Sequence, residues 1–204
     1  MRICLLCYRG NPYSGGQGIY LKYVAEEMVR QGHDVHVIVG PPYPLNMEGV
    51  TVHTIHNEEY FVKKGNSVIN PADPFCIFNP INFYEFFHSR FGAFPEISSF
   101  GYRAFALLRS LHARHGFDII HDNQSLGYGL LLMKSLGIPV LATIHHPLSI
   151  DLENVLERAS SFKNRMKAVM FYPLLMQAFV SKRLDHVITV SEDSRRTINR
   201  DFGV

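Results

Sequence analysis

Residues 2–39 decide the fold. They open on Arg2-Ile3-Cys4-Leu5-Leu6-Cys7-Tyr8, run through Arg9-Gly10-Asn11-Pro12-Tyr13-Ser14-Gly15-Gly16-Gln17-Gly18, and close on Asp34-Val35-His36-Val37-Ile38-Val39. The first segment is an apolar run of strand length, and the second is dense in turn formers. Leu21, Val24, Ala25 and Met28 then recur at i, i+3, i+4 and i+7, one face of a helix. Gly32 stands where a C′ glycine belongs. Strand, glycine loop, helix and strand in this order make a βαβ unit. Its two strands should run parallel, joined by a right-handed crossover.

The same rhythm extends outward. Val50 to Ile55 reads as a third strand. A stretch rich in phenylalanine, with Pro74, Pro80 and Pro95, follows at about 60–115. It reads as an insertion with short helices near Asn82–Phe91 and Ser98–His115. Strands return at Asp118–His121, Pro139–Ile144 and His186–Val190. Between them lie helices over Gly127–Leu136 and over Leu152–Arg183, the latter broken at Pro173. Ser191 is placed to cap a last helix. The expected fold is α/β: a Rossmann-like domain with a mostly parallel sheet of six or seven strands and helices on both faces.

Composition bounds the function. The chain has 204 residues, 47% hydrophobic and 19% charged, which excludes a disordered chain. A formal charge of +2 does not point to nucleic acid. Three cysteines exclude a disulfide scaffold. Cys4 and Cys7 have metal-ligand spacing, yet residues three apart on a strand face opposite ways, so they cannot share a metal. The eleven histidines are scattered, and no metal site is expected. The N-terminal apolar run is too short for a signal peptide, and the longest apolar stretch, Ala168 to Val180, is too short to span a bilayer. The expected location is the cytoplasm. Lys163-Asn164-Arg165-Met166-Lys167 abuts that stretch, so peripheral contact with the inner membrane face is an alternative to plain packing on the sheet.

Candidate site residues gather where parallel strands end, the edge at which such sheets bind ligands. Gly15 and Gly16 lie between the first strand and first helix, where backbone N–H groups and a helix N-terminus favour a phosphate. The loop is neither a P-loop nor a dinucleotide fingerprint. His145 and His146 follow directly on a strand and can meet a sugar hydroxyl or move a proton. His121, Asn123 and Gln124 end another strand as a polar cluster suited to sugar hydroxyls, or else as a helix cap. Tyr13, Gln17 and Ser191, at the same edge, complete the expected acceptor or sugar-binding set.

In this order and spacing, the pieces resemble the retaining glycosyltransferases of family four, of GT-B architecture. The resemblance rests on Arg2–Leu6, Gly15-Gly16, Gln31-Gly32-His33-Asp34-Val35, Asp118-Ile119-Ile120-His121, Gly137-Ile138-Pro139 through Thr143-Ile144-His145, Asp185–Ser191 and Phe202-Gly203-Val204. It leaves out roughly Pro41 to His115. It implies sugar transfer from a nucleotide-diphosphate donor to a hydroxyl of a glycan, lipid-linked or small polyol acceptor. Two Rossmann-like domains would face each other across a cleft, usually without a metal. By the same resemblance, Gly16 with Gly15 approaches the donor pyrophosphate, and His145 contacts the donor sugar near the reaction centre. The family's basic donor-phosphate residues and paired glutamates belong to a second domain. Residues 1–204 are therefore expected to be the N-terminal, acceptor-side half, inactive alone, with the C-terminal donor-binding domain absent from this chain. Two other readings fit the residues: a non-catalytic binding domain for a phosphorylated or sugar ligand, and half of a sugar-nucleotide epimerase.

Overall fold

The computed structural model describes residues 1–11, 13, 16–57, 60 and 73–204. Six strands form one sheet: β1 (Arg2–Cys7), β2 (Asp34–Val39), β3 (Thr51–Thr54), β4 (Ile119–Asn123), β5 (Val140–Ile144) and β6 (His186–Thr189). Their spatial order is β3-β2-β1-β4-β5-β6, and every pairing is parallel. The order reverses between β1 and β4, which makes the carboxyl edge of those two strands the switch point of the sheet.

Alternation along β1 splits the core in two. Cys4 and Leu6 join a cluster with Ile97, Phe100, Ala104 and Leu108. Ile3, Leu5 and Cys7 join another with Leu21 and Ala25 of α1 (Gly16–Arg30). The two thiols thus lie on opposite faces, both free and fully buried, as the strand period requires. Burial pushes the Cys7 thiol up to about 12 and raises Cys4 further. Leu6, Ile38 and Leu108 are completely enclosed, and each such side chain contributes about 1.5–3 kcal/mol relative to exposure.

The stretch read as an insertion divides in two. Its first helix, α2 (Pro80–Arg90), is capped by Asn79, whose Oδ1 accepts from the Ile81 amide at 3.0 Å. Its second, α3 (Glu96–His115), carries Ile97, Phe100, Ala104 and Leu108, so it is the core crossover helix between β3 and β4, not an accessory. Then come α4 (Gly129–Lys134), α5 (Leu148–Arg158), α6 (Phe162–Phe171), α7 (Leu174–Ser181) and α8 (Glu192–Phe202). The single helix expected over Leu152–Arg183 is therefore three. Pro173 makes one break; Ser161 makes the other, its extended backbone and Oγ capping α6 by accepting from the Asn164 amide at 3.3 Å. Helices α3 and α4 meet closely at Gly101 and Gly129, where a Cβ on Gly129 would fall 2.2 Å from the Gly101 carbonyl oxygen.

Candidate active-site cleft

An open cleft of ≈ 470 Å³ lies along the carboxyl edge of the sheet. The end of β1 gives it Tyr8 and Arg9, the start of α1 gives Gly16 and Gln17, and the end of β5 gives His145 and His146. A Cβ built on Gly16 meets nothing within 4 Å, so this first residue of α1 borders open space. Backbone N–H groups at that helix end have no intrahelical acceptor and favour an anion. Gly15 lies outside the described residues. Gly18, two positions on, is different in kind: its Cβ would fall 1.9 Å from the Asn11 carbonyl oxygen. It is a packing glycine that the sequence did not single out.

His145 is fixed by a relay that begins on α1. The Gln17 carbonyl accepts from Asn123 Nδ2 at 2.8 Å, which turns Asn123 Oδ1 toward His145 Nε2, 2.6 Å away. A carbonyl oxygen only accepts, so Nε2 carries the proton and Nδ1 keeps its lone pair. Tyr20 meets the same ring edge-on, centroids 4.5 Å apart. Burial holds the His145 pKa below its ordinary value, keeping the imidazole neutral near pH 7.

The polar residues after β4 are engaged within the protein. Gln124 has a left-handed backbone, φ 60°. Its Oε1 accepts from the amides of His145 (2.8 Å) and His146 (3.2 Å), and its Nε2 donates to the His146 carbonyl at 2.6 Å. One amide thus ties the loop after β4 to the loop after β5. Asp122, fully buried, accepts from the Ser125 hydroxyl and from the amides of Ser125 (2.8 Å) and Leu126 (2.9 Å). Burial nevertheless pushes its carboxyl up to about 6. Asp122 thus ties β4 to the loop after it, and the expected helix cap is not formed: α4 starts behind Tyr128, which makes no side-chain cap bond.

The remaining expected residues spread out. His121 is buried behind the cleft, its Nε2 2.7 Å from Thr143 Oγ1, and burial lowers its pKa to about 4. It borders a small cavity with Tyr20 and Asn123, apart from the open one. His146 lines the cleft with Nε2 3.3 Å from Asp151. Tyr13 is 79% exposed and does not line the cleft. Ser191 caps α8, its Oγ accepting from the Ser194 amide at 3.1 Å, and it too lies outside the cleft lining.

Arg9 was not foreseen. It is the one permanent cation among the described lining residues. Its Nη2 is 2.6 Å from the carboxylate of Glu96, a buried residue, while the guanidinium remains partly exposed beside the Phe94 ring. No signal short of tertiary structure joins residues 87 apart in sequence. Among the described residues, no cluster of three histidine, cysteine or carboxylate side chains is arranged to hold a metal ion.

Known proteins share this framework. The sequence profile of Glycosyltransferase Family 4 matches residues 14–204. The MMP α-(1→4)-mannosyltransferase of Mycolicibacterium hassiacum is 34% identical over 212 residues, covering 100% of this chain and 49% of that protein. The chain therefore spans about half the length of the curated relative it matches. Sucrose-phosphate synthase from Thermosynechococcus elongatus superposes with a TM-score of 0.60 at 17% identity, over 98% of this chain and 44% of that one. A second structure of that synthase gives 0.50 at 13% identity and is covered to 82%. These likenesses show the fold.

Proposed function

The chain belongs to glycosyltransferase family 4, and from that premise we propose that it is the N-terminal, acceptor-side half of a retaining glycosyltransferase. The observation that carries this reading is the opposition of two groups across the switch-point cleft: the open start of α1 at Gly16, and His145 locked as a neutral Nε2–H tautomer. In the transfer, the bond from the anomeric carbon to the donor phosphate breaks. The acceptor oxygen bonds to that carbon on the same face, and the acceptor proton leaves with the diphosphate. The α1 amides and Arg9 supply positive potential to the departing diphosphate or to an anionic acceptor. His145 Nδ1 is free to accept from a sugar hydroxyl, which orients the ring being transferred. The donor is a nucleotide-diphosphate sugar, and the likeness to a mannosyltransferase puts activated mannose first to be tried. The acceptor is a hydroxyl of a glycan, a lipid-linked glycan or a small polyol.

The test is turnover by the intact protein against a panel of sugar nucleotides, reading nucleoside diphosphate released and product anomer by NMR. Retained configuration is expected, with no transfer by residues 1–204 alone. Transfer by the isolated chain, or inversion, overturns the reading.

A further inference from the structure

Two neighbouring helices turn their apolar side chains outward. On α2 the inward side chain is Glu85, completely buried with Arg103 Nη2 2.8 Å from its carboxylate. Phe83, Phe87 and Phe91 recur at i, i+4 and i+8 on the solvent side, each about half exposed, with the Phe87 ring 6.3 Å from Phe83 and 4.8 Å from Phe91. On α6, Ala168 faces inward, while Phe162, Met166, Val169 and Met170 face solvent, Phe162 being 79% exposed. A helix lying on a core has the opposite pattern. The two helices are adjacent, since Arg90 and Phe91 share one shallow cavity of ≈ 640 Å³ with Asn164, Lys167 and Phe171.

The exposed charges of these two helices have one sign. Arg90, Lys163, Arg165 and Lys167 are exposed, and the only acid within either helix is the buried Glu85. At 100° per residue, Lys163 and Arg165 flank the α6 stripe on its two sides. We propose that this face is a docking surface for an anionic lipid bilayer, with the aromatic and aliphatic stripes entering the headgroup boundary and the flanking cations meeting lipid phosphates. An apolar stripe edged by lysine and arginine is the pattern of an interfacial helix. A second copy of the face would set cation against cation. No described helix is long and apolar enough to cross a membrane, so the contact is peripheral. Val155 of α5 lines the shared cavity, and Asp151, one turn earlier, lines the active-site cleft. A docked bilayer therefore brings the cleft near the headgroups, which favours the lipid-linked class of acceptor. That last step rests on the transferase reading; the docking does not.

Residues 1–204 contain no tryptophan, so Phe87→Trp adds a reporter on the stripe, read in the intact protein as the difference from the same protein without the substitution. Its emission is read with vesicles of phosphatidylcholine alone and of phosphatidylcholine with phosphatidylglycerol, each with and without brominated chains. Blue shift and bromine quenching are expected on the anionic vesicles, weakening with salt. Replacing Lys163, Arg165 and Lys167 together by glutamine should cut the partition coefficient about tenfold or more. These side chains are exposed, and an unchanged melting temperature confirms that the variant is folded. No partition, equal partition on neutral vesicles, an undiminished glutamine variant, or an emission shift driven by protein concentration alone each overturns the proposal. The readout uses no sugar donor. If the unaltered charges give no partition while the intact protein still transfers sugar to a soluble acceptor, the docking surface falls and the transferase reading stands.

Discussion

Asn123 braces His145 against the start of α1, through its contacts to Gln17 and His145. Asn123→Leu removes the side-chain donor to the Gln17 carbonyl and frees His145 to exchange tautomers. Long-range ¹H–¹⁵N NMR should show the Nε2–H form alone in the wild type and a mixture in the variant; an Nδ1–H wild type would refute the relay. In the intact enzyme the variant should lower kcat about tenfold to a hundredfold, a loss of roughly 1.4–2.7 kcal/mol. His145→Ala should cost at least as much, with the fold unchanged. Normal turnover in both would mean that the cleft is misplaced. His145 was legible in the sequence because a histidine directly after a parallel strand must emerge at the binding edge. Asn123 was legible only as a polar residue at that edge, and its use as a brace was not. The partner atom is the main-chain oxygen of Gln17, and a main-chain carbonyl leaves no trace in residue identity. Arg9 and Glu96 were hidden for a related reason: each is ordinary in its local context, and only the crossover through α3 brings them together.

At the level of elements, two glycines in the first turn of α1 make opposite demands. Gly16 borders open space, so Gly16→Ala should keep or raise stability, by about 0.4–1 kcal/mol if the backbone fits. It should weaken donor use by intruding on the cleft. Gly18→Ala drives a Cβ into the Asn11 carbonyl and should lower stability by about 1–3 kcal/mol. Urea melts of the two variants side by side decide the matter; equal stabilities would show that the α1 start is not built as described. The sequence displayed a glycine-rich loop and could not rank its members, because the backbone that crowds Gly18 is seven residues upstream. Element order was the most legible feature, since periods of two and 3.6 mark strands and helices directly. Boundaries were less so. The expected helix Leu152–Arg183 hid a break at Ser161, where a cap replaced the proline that signalled the other break. In sequence, helix α3 reads as an accessory because its phenylalanines match the exposed ones before it, and only packing separates Phe100 in the core from Phe87 in solvent.

For the whole molecule, histidine burial sets the response to acid. His36, His53, His121 and His145 all have pKa values held below the ordinary one, burial being the largest cause in each. His36 and His53 touch, Nδ1 to Nε2 3.0 Å, with the His115 ring 4.7 Å from His36. Asp34, 3.4 Å from His36 Nε2, offsets this only in part. When the folded pKa of a histidine is lowered, the unfolded chain binds the proton first, so stability falls as pH drops below about 6.5. Two buried acids act the other way. Asp122, pushed up to about 6, and Glu85, also raised by burial, take up protons earlier in the folded state, which gains stability as they do. Asp122 and its neighbour His121, lowered to about 4, shift by similar amounts in opposite directions and nearly cancel between pH 4 and 6. Glu85 tempers what remains, but the other three histidines outnumber it. The melting temperature should therefore be lower at about pH 5.5 than at about pH 7.5. His53→Gln removes one member of the β2–β3 pair and should reduce that difference. A melting temperature that holds or rises on acidification would mean that the buried acids outweigh the histidines, and that the cluster at the β3 edge of the sheet is already open to water.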